Sequence, residues 1–195
     1  MSKFVHVLAF VSLAFAVPAG AAVTDSTASG FEVSQTYTVN APADTVYDVL
    51  IHPADWWSSD HTFSGDAANL TLDPKAGGCW CERLPDGGSV DHMTVDYAQP
   101  DSVLRMEGGL GPLQETGASG HMTVQLAESN GVTTVSVVYD VGGYAKGGLD
   151  QLATPVDAVL GQQFANLKTV AEAEVETAAE PVTDPAADPA TPPAQ

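Results

Sequence analysis

Two cysteines, Cys79 and Cys81, have the types and spacing that most directly invite chemistry, and they are the only cysteines in 195 residues. On a strand, residues two apart point to the same side. If the turn at 85–88 pairs its flanking strands symmetrically, Cys81 lies opposite His92 and Cys79 opposite Thr94. Two thiols and an imidazole then share one face, away from Trp80. Three readings stay open. A disulfide suits an oxidising compartment, but Cα atoms two apart on a strand are separated by about 6.5 Å, near the upper limit for that bond, so it needs a local kink. Its ring is too small to add much stability and is easily reduced. Alternatively, Cys79, Cys81 and His92 offer three ligands to zinc or copper, with the fourth missing. The third reading is unpaired or intermolecularly paired thiols.

The remaining titratable groups are less organised. His52 and His61 flank Asp55 and Asp60, which on an exposed helix and loop read as ordinary surface residues, and His121 falls on the polar phase of its strand. There is no GxSxG, HExxH, phosphate-binding glycine loop or calcium loop, and 117–120 lacks the spacing of a nucleophile elbow. Asn69-Leu70-Thr71 spells a glycosylation sequon, which has meaning only in a eukaryotic secretory pathway. No nucleophile comes with both a base and an orienting acid, so no catalytic residue, resident metal or cofactor is assigned.

The elements that must position these residues follow from periodicity. Residues 31–39 alternate as Phe31, Val33, Gln35, Tyr37, Val39 against polar neighbours, a half-buried strand. A helix opens at 40–44 with Pro42 near its first turn, and Pro53 ends it. Asp55-Trp56-Trp57 starts a second short helix or packed loop, and at least one of the adjacent tryptophans is expected to line a cleft or the surface. Strands are predicted at 69–72, 78–84, 89–97, 103–107, 119–127 and 133–141, punctuated by turns and by the glycine-rich loop 108–113. Val156, Leu160, Phe164, Leu167 and Ala171 form one apolar stripe of a helix over about 149–170. That helix starts either at Thr154-Pro155 or near Asp150, with Pro155 tolerated in the first turn. The order predicts an α+β domain whose antiparallel sheet packs on its last helix.

Composition divides the chain. Residues 1–22 carry Lys3, an apolar run at 4–17 and small residues at 18–22, the pattern of a cleaved signal peptide, too short to favour a membrane span. Residues 177–195 are acidic, then rich in proline and alanine, and read as a disordered tail. Residues 23–176 make one domain of ordinary size. The net charge is −19, and without Lys3 and the six acids from Glu172 onward 19 acids still face five bases. That field opposes nucleic acids and anionic headgroups.

The segments NAPADTVYDVL, DWW, LTLDPKAGGCWCERLPDGG, LRMEGGLGPLQ, TTVSVVYDVGGYAKGGLD and VDAVLGQQFANLKTVAE together resemble the SRPBCC superfamily. These are the START-like, birch-pollen-allergen-like helix-grip domains, and the resemblance is to the polyketide-cyclase and ATPase-activator-homologue branch over about 31–170. It implies a sheet of about seven strands curled around the C-terminal helix, two short helices after the first strand, and a cavity between sheet and helix that takes lipids, sterols or polyketides. Some members are cyclases, hydratases or co-chaperones; the export signal and the CxC pair argue against a cytosolic co-chaperone here.

A cavity of that kind would be lined by Trp57, Trp80, Met93, Tyr97, Met106, Tyr139, Leu160 and Phe164, the alternative being that these side chains fill a dry core. The leading expectation is a periplasmic or secreted domain binding an apolar small molecule or lipid without covalent chemistry, with no nucleic-acid partner and no membrane span after signal cleavage. A cyclase- or hydratase-type enzyme using Tyr97, Tyr139 or a carboxylate at the cavity mouth is the second. The third is an envelope interaction protein with the acidic tail as tether and the CxC pair as a redox or metal handle.

Overall fold

The alternation at Phe31 to Val39 is a strand, and its apolar side chains are buried against the last helix of the chain. The computed structural model describes residues 22–179. In chain order the elements are β1 (Ala22–Thr27), β2 (Gly30–Val39), α1 (Ala43–Leu50), α2 (Pro53–Trp56), β3 (Leu70–Leu72), β4 (Cys79–Arg83), β5 (Ser89–Gln99), β6 (Val103–Gly108), β7 (Gly117–Ser129), β8 (Val132–Tyr144) and α3 (Asp150–Ala179). The strands form one antiparallel sheet in the order β1-β2-β8-β7-β6-β5-β4-β3. This is the α+β helix-grip architecture, with two short helices after the first long strand.

The sheet has eight strands rather than about seven. The extra one, β1, pairs with β2 at the sheet edge and is exposed except for half-buried Val23. Ladder hydrogen bonds hold it, so it has no apolar face from which a period could be read.

Helix α3 begins at Asp150, not at Thr154-Pro155, and Pro155 sits inside it. Proline there lacks the N–H that would bond the carbonyl of Gln151. The expected stripe is buried: Val156, Leu160, Phe164, Leu167 and Ala171, joined by Ala153 and Gln163. The helix continues to Ala179, past both the expected end near 170 and the tail boundary at 177. The signal peptide expected at 1–22, save its last residue, and the tail from 180 lie outside the described residues. Among the described residues, no helix is long and apolar enough to cross a membrane.

Two bulges shape the half of the sheet that carries the cysteines. The β4–β5 register shifts between Trp80 and Cys81, and the β5–β6 register between Val95 and Tyr97. A bulge adds an unpaired residue and bends its strand, so side chains beyond it change face. At Gly108 the strands come so close that a Cβ would stand 2.3 Å from the backbone oxygen of His92; only glycine fits there.

Candidate ligand-binding site

Three segments enclose a cleft of about 380 Å³. One wall is the first half of α3, with Leu152, Pro155, Val156, Val159 and Leu160; the second is the loop after α2, from Trp57 through Phe63; the third is the turn Leu110 to Glu115 after β6.

Each wall is pinned by buried polar groups. The Tyr139 hydroxyl donates to the Gly108 carbonyl at 3.0 Å and accepts from the Leu110 N–H at 3.4 Å, fixing the start of the third wall. Burial pushes this phenol up to about 12, against the lowering effect of the Leu110 N–H, so it stays a neutral strut. In the second wall, Trp57 Nε1 donates to the His61 carbonyl at 2.9 Å. Gln163, fully buried on α3, accepts from the Ser58 N–H at 2.7 Å and meets His61 Nδ1 at 3.1 Å. The far end of that wall is held by Glu82, whose carboxylate accepts from the backbone N–H groups of Phe63 and Ser64 and from His92 Nε2. Burial alone would raise the Glu82 carboxyl, but these hydrogen bonds outweigh it and hold the pKa below the ordinary carboxylate value. His92 Nδ1 lies 3.4 Å from the Gln114 amide, so one imidazole ties the second wall to the third.

Of the eight expected lining residues, Trp57 and Leu160 line the cleft. Trp80, Met106 and Phe164 border only a void of about 10 Å³ deeper in the core, at the lower limit for one water. Met93 and Tyr139 are fully packed. Under the sheet, the ring of Phe164 meets Trp56 at 5.5 Å and Tyr37 at 6.1 Å, and Trp80 meets Trp57 edge-on at 5.0 Å. These aromatics fill the space beneath the middle of α3 and leave the cleft at its N-terminal half. Trp56 and Trp57 are both buried, and Trp57 lines the cleft, as one of the pair was expected to, because α2 ends at Trp56 and Trp57 is extended. Tyr97 is 45% exposed on the outer face, bonded to Gln99 and beneath the Arg105 guanidinium. The bulge after Val95 turns it out of the phase it shares with Met93 in the sequence.

The same physics corrects the cysteine face. Cys79 is opposite Thr94 as expected, but Cys81 is opposite Asp91, because His92 is the extra residue of the β4–β5 bulge. His92 turns inward to Glu82, away from the sulfurs. Cys79 and Cys81 are joined in a disulfide with Cα atoms 5.3 Å apart, and the kink that shortens this span is the register shift between Trp80 and Cys81. The ligand set Cys79, Cys81 and His92 is therefore not assembled.

Glu82, Gln163 and Glu115 are not among the expected site residues, His92 is expected only as a metal ligand, and His61 is exposed, as expected, but also lines the cleft. Glu82 lies two residues after buried Trp80 on β4, so plain strand alternation is the signal that could have marked it as inward. Gln163 lies beside Phe164 near the helix stripe, the one signal that could have marked it as inward.

An antiparallel sheet gripping a C-terminal helix, with an apolar cleft beside it, defines a helix-grip domain. The chain belongs to the polyketide cyclase / dehydrase and lipid transport family, of SRPBCC type, whose pattern matches residues 30–172. No curated protein matches the sequence significantly. Among solved structures, a Rhodobacter sphaeroides protein is 16% identical with a TM-score of 0.52, over 80% of this chain and 99% of that one. A Mesorhizobium loti protein is 15% identical with a TM-score of 0.52, over 71% and 95%. The di-domain ARO/CYC BexL of the BE-7585A biosynthetic pathway is 19% identical with a TM-score of 0.53, over 80% and 52%. At these identities the likeness is one of fold.

Proposed function

We propose that this protein binds an apolar small molecule or lipid in the cleft between the first half of α3 and the loops at Trp57–Phe63 and Leu110–Glu115. The observation that carries this reading is a cleft of about 380 Å³ with mostly aliphatic and aromatic walls, its loops tied by partly buried hydrogen bonds. Pockets of this size and lining are the usual form of small-ligand sites, and the family description includes lipid transport. The test is titration of the full chain with Nile red, an uncharged dye, followed by native mass spectrometry of protein purified without organic solvent. Saturable dye uptake and a co-purified mass that leaves on denaturation support binding; a dark titration and a bare polypeptide mass exclude it.

The proposed place of action is the periplasm or the exterior. Support comes from the apolar run at 4–17 behind Lys3 and from the Cys79–Cys81 disulfide, a bond that persists in oxidising compartments. Fusing residues 1–30 to a reporter active only outside the cytoplasm tests it, and a silent reporter would refute it.

A cyclase- or dehydrase-type reaction is a second reading, favoured by the presence of His61 and Glu115 in the cleft lining. The tyrosines first considered for acid–base work do not serve it, since Tyr97 lies outside the cleft and Tyr139 is a neutral strut.

A further inference from the structure

Resting on that ligand-binding reading, we infer that the cleft selects uncharged apolar molecules bearing a hydrogen-bond acceptor, held by His61, and turns away carboxylates.

The argument starts from Gln163. Its Oε1 accepts from the Ser58 N–H, a backbone donor that cannot change role, so its Nε2 is the atom facing His61 Nδ1 at 3.1 Å. An amide nitrogen only donates, which makes Nδ1 the acceptor and places the proton of the neutral ring on Nε2. The other side-chain donors of the cleft are already engaged: Trp57 Nε1 bonds the His61 carbonyl, and the Thr62 hydroxyl donates to the Ser59 carbonyl at 2.8 Å. Among the described residues, His61 Nε2–H is thus the one side-chain donor of the lining without a protein partner. A ligand that covers it without offering an acceptor leaves a desolvated donor unpaired.

The charges point the same way. Among the described residues, the lining contains no lysine or arginine, and its one acidic residue is Glu115. A fatty acid can accept from the same imidazole, but its charge then lies in a mostly apolar lining whose one other charged group is the Glu115 carboxylate, with no cation in that lining to offset it. The net charge of −19 adds a weaker repulsion in the same direction. An ester, ketone or alcohol of the same length meets neither obstacle and satisfies the imidazole.

The experiment is Nile red displacement from the full chain at neutral pH by octanoate, methyl octanoate and octane. The ester is expected to bind at least about tenfold more tightly than the acid. His61→Phe is expected to weaken the ester by about fivefold without weakening octane, which separates loss of the donor from collapse of the cleft. Glu115→Gln is expected to bring the acid closer to the ester. Octanoate binding as tightly as the ester overturns this selectivity while the ligand-binding reading survives. Equal loss of ester and octane on His61→Phe removes the assigned role of the imidazole. Failure of the dye and all three compounds to bind is the failure of the ligand-binding reading itself.

Discussion

Nε2 of His92 lies 2.9 Å from Oε2 of Glu82, and Glu82 is entirely sequestered from solvent. This pair anchors the loop that carries Phe63 into the cleft. Because hydrogen bonding holds the Glu82 carboxyl below its unfolded value, its contribution is present above roughly pH 4.3, the ordinary glutamate pKa, and is lost as pH falls through the lower folded value. Glu82→Gln removes an ionised acceptor from two backbone donors and an imidazole, and is expected to cost about 3 kcal/mol. Urea unfolding at pH 7 and pH 3.5 checks both statements. The wild type should lose midpoint on acidification, and the variant should start lower and lose less.

Tyr139→Phe is expected to destabilise by about 1–2 kcal/mol, because it strands the Gly108 carbonyl and the Leu110 N–H in the interior. The same change should weaken Nile red binding, since Leu110 forms part of the cleft. Thermal unfolding and dye titration read the two effects separately.

Replacing both Cys79 and Cys81 by serine, or adding a reductant, is expected to lower stability by about 1–2 kcal/mol, because the bond closes a very short loop. Denaturant midpoints with and without reductant measure it. A wild-type midpoint indifferent to reductant would contradict the expectation.

Tyr97→Ala is expected to leave dye affinity unchanged and to alter stability by no more than about 0.5 kcal/mol, since the ring is exposed and its partners are Gln99 and Arg105 on the outer face. Weakened dye binding in this variant would place Tyr97 back in the ligand path.

The fold was legible because its periods are long and clean. The alternation of Phe31 to Val39 and the stripe from Val156 to Ala171 survive into the structure unchanged. The site was less legible, because two one-residue bulges decide it. One turns Tyr97 outward and the other turns His92 inward, and neither bulge has a glycine or proline to announce it. Burial depth was also hidden. Met93 and Tyr139 face inward as read, but the aromatic cluster of Trp56, Trp57, Trp80 and Phe164 fills the space they were expected to line. His61 was passed over since its role depends on Gln163, 102 residues away in sequence.

The pairing of β2 with β8 joins Phe31 to Val141 and Val39 to Thr133. Of the native neighbours of β2 in the sheet, only β1 is made early, and a lone two-stranded hairpin is marginal in water. Most of the domain must leave the ribosome before this ladder can form, and contacts so distant along the chain assemble slowly. Strand β2 thus lacks its inner neighbour until β8 has emerged, while β3 to β8 each pair with the strand next in sequence, so the first long strand to be made is the last to be locked into the sheet.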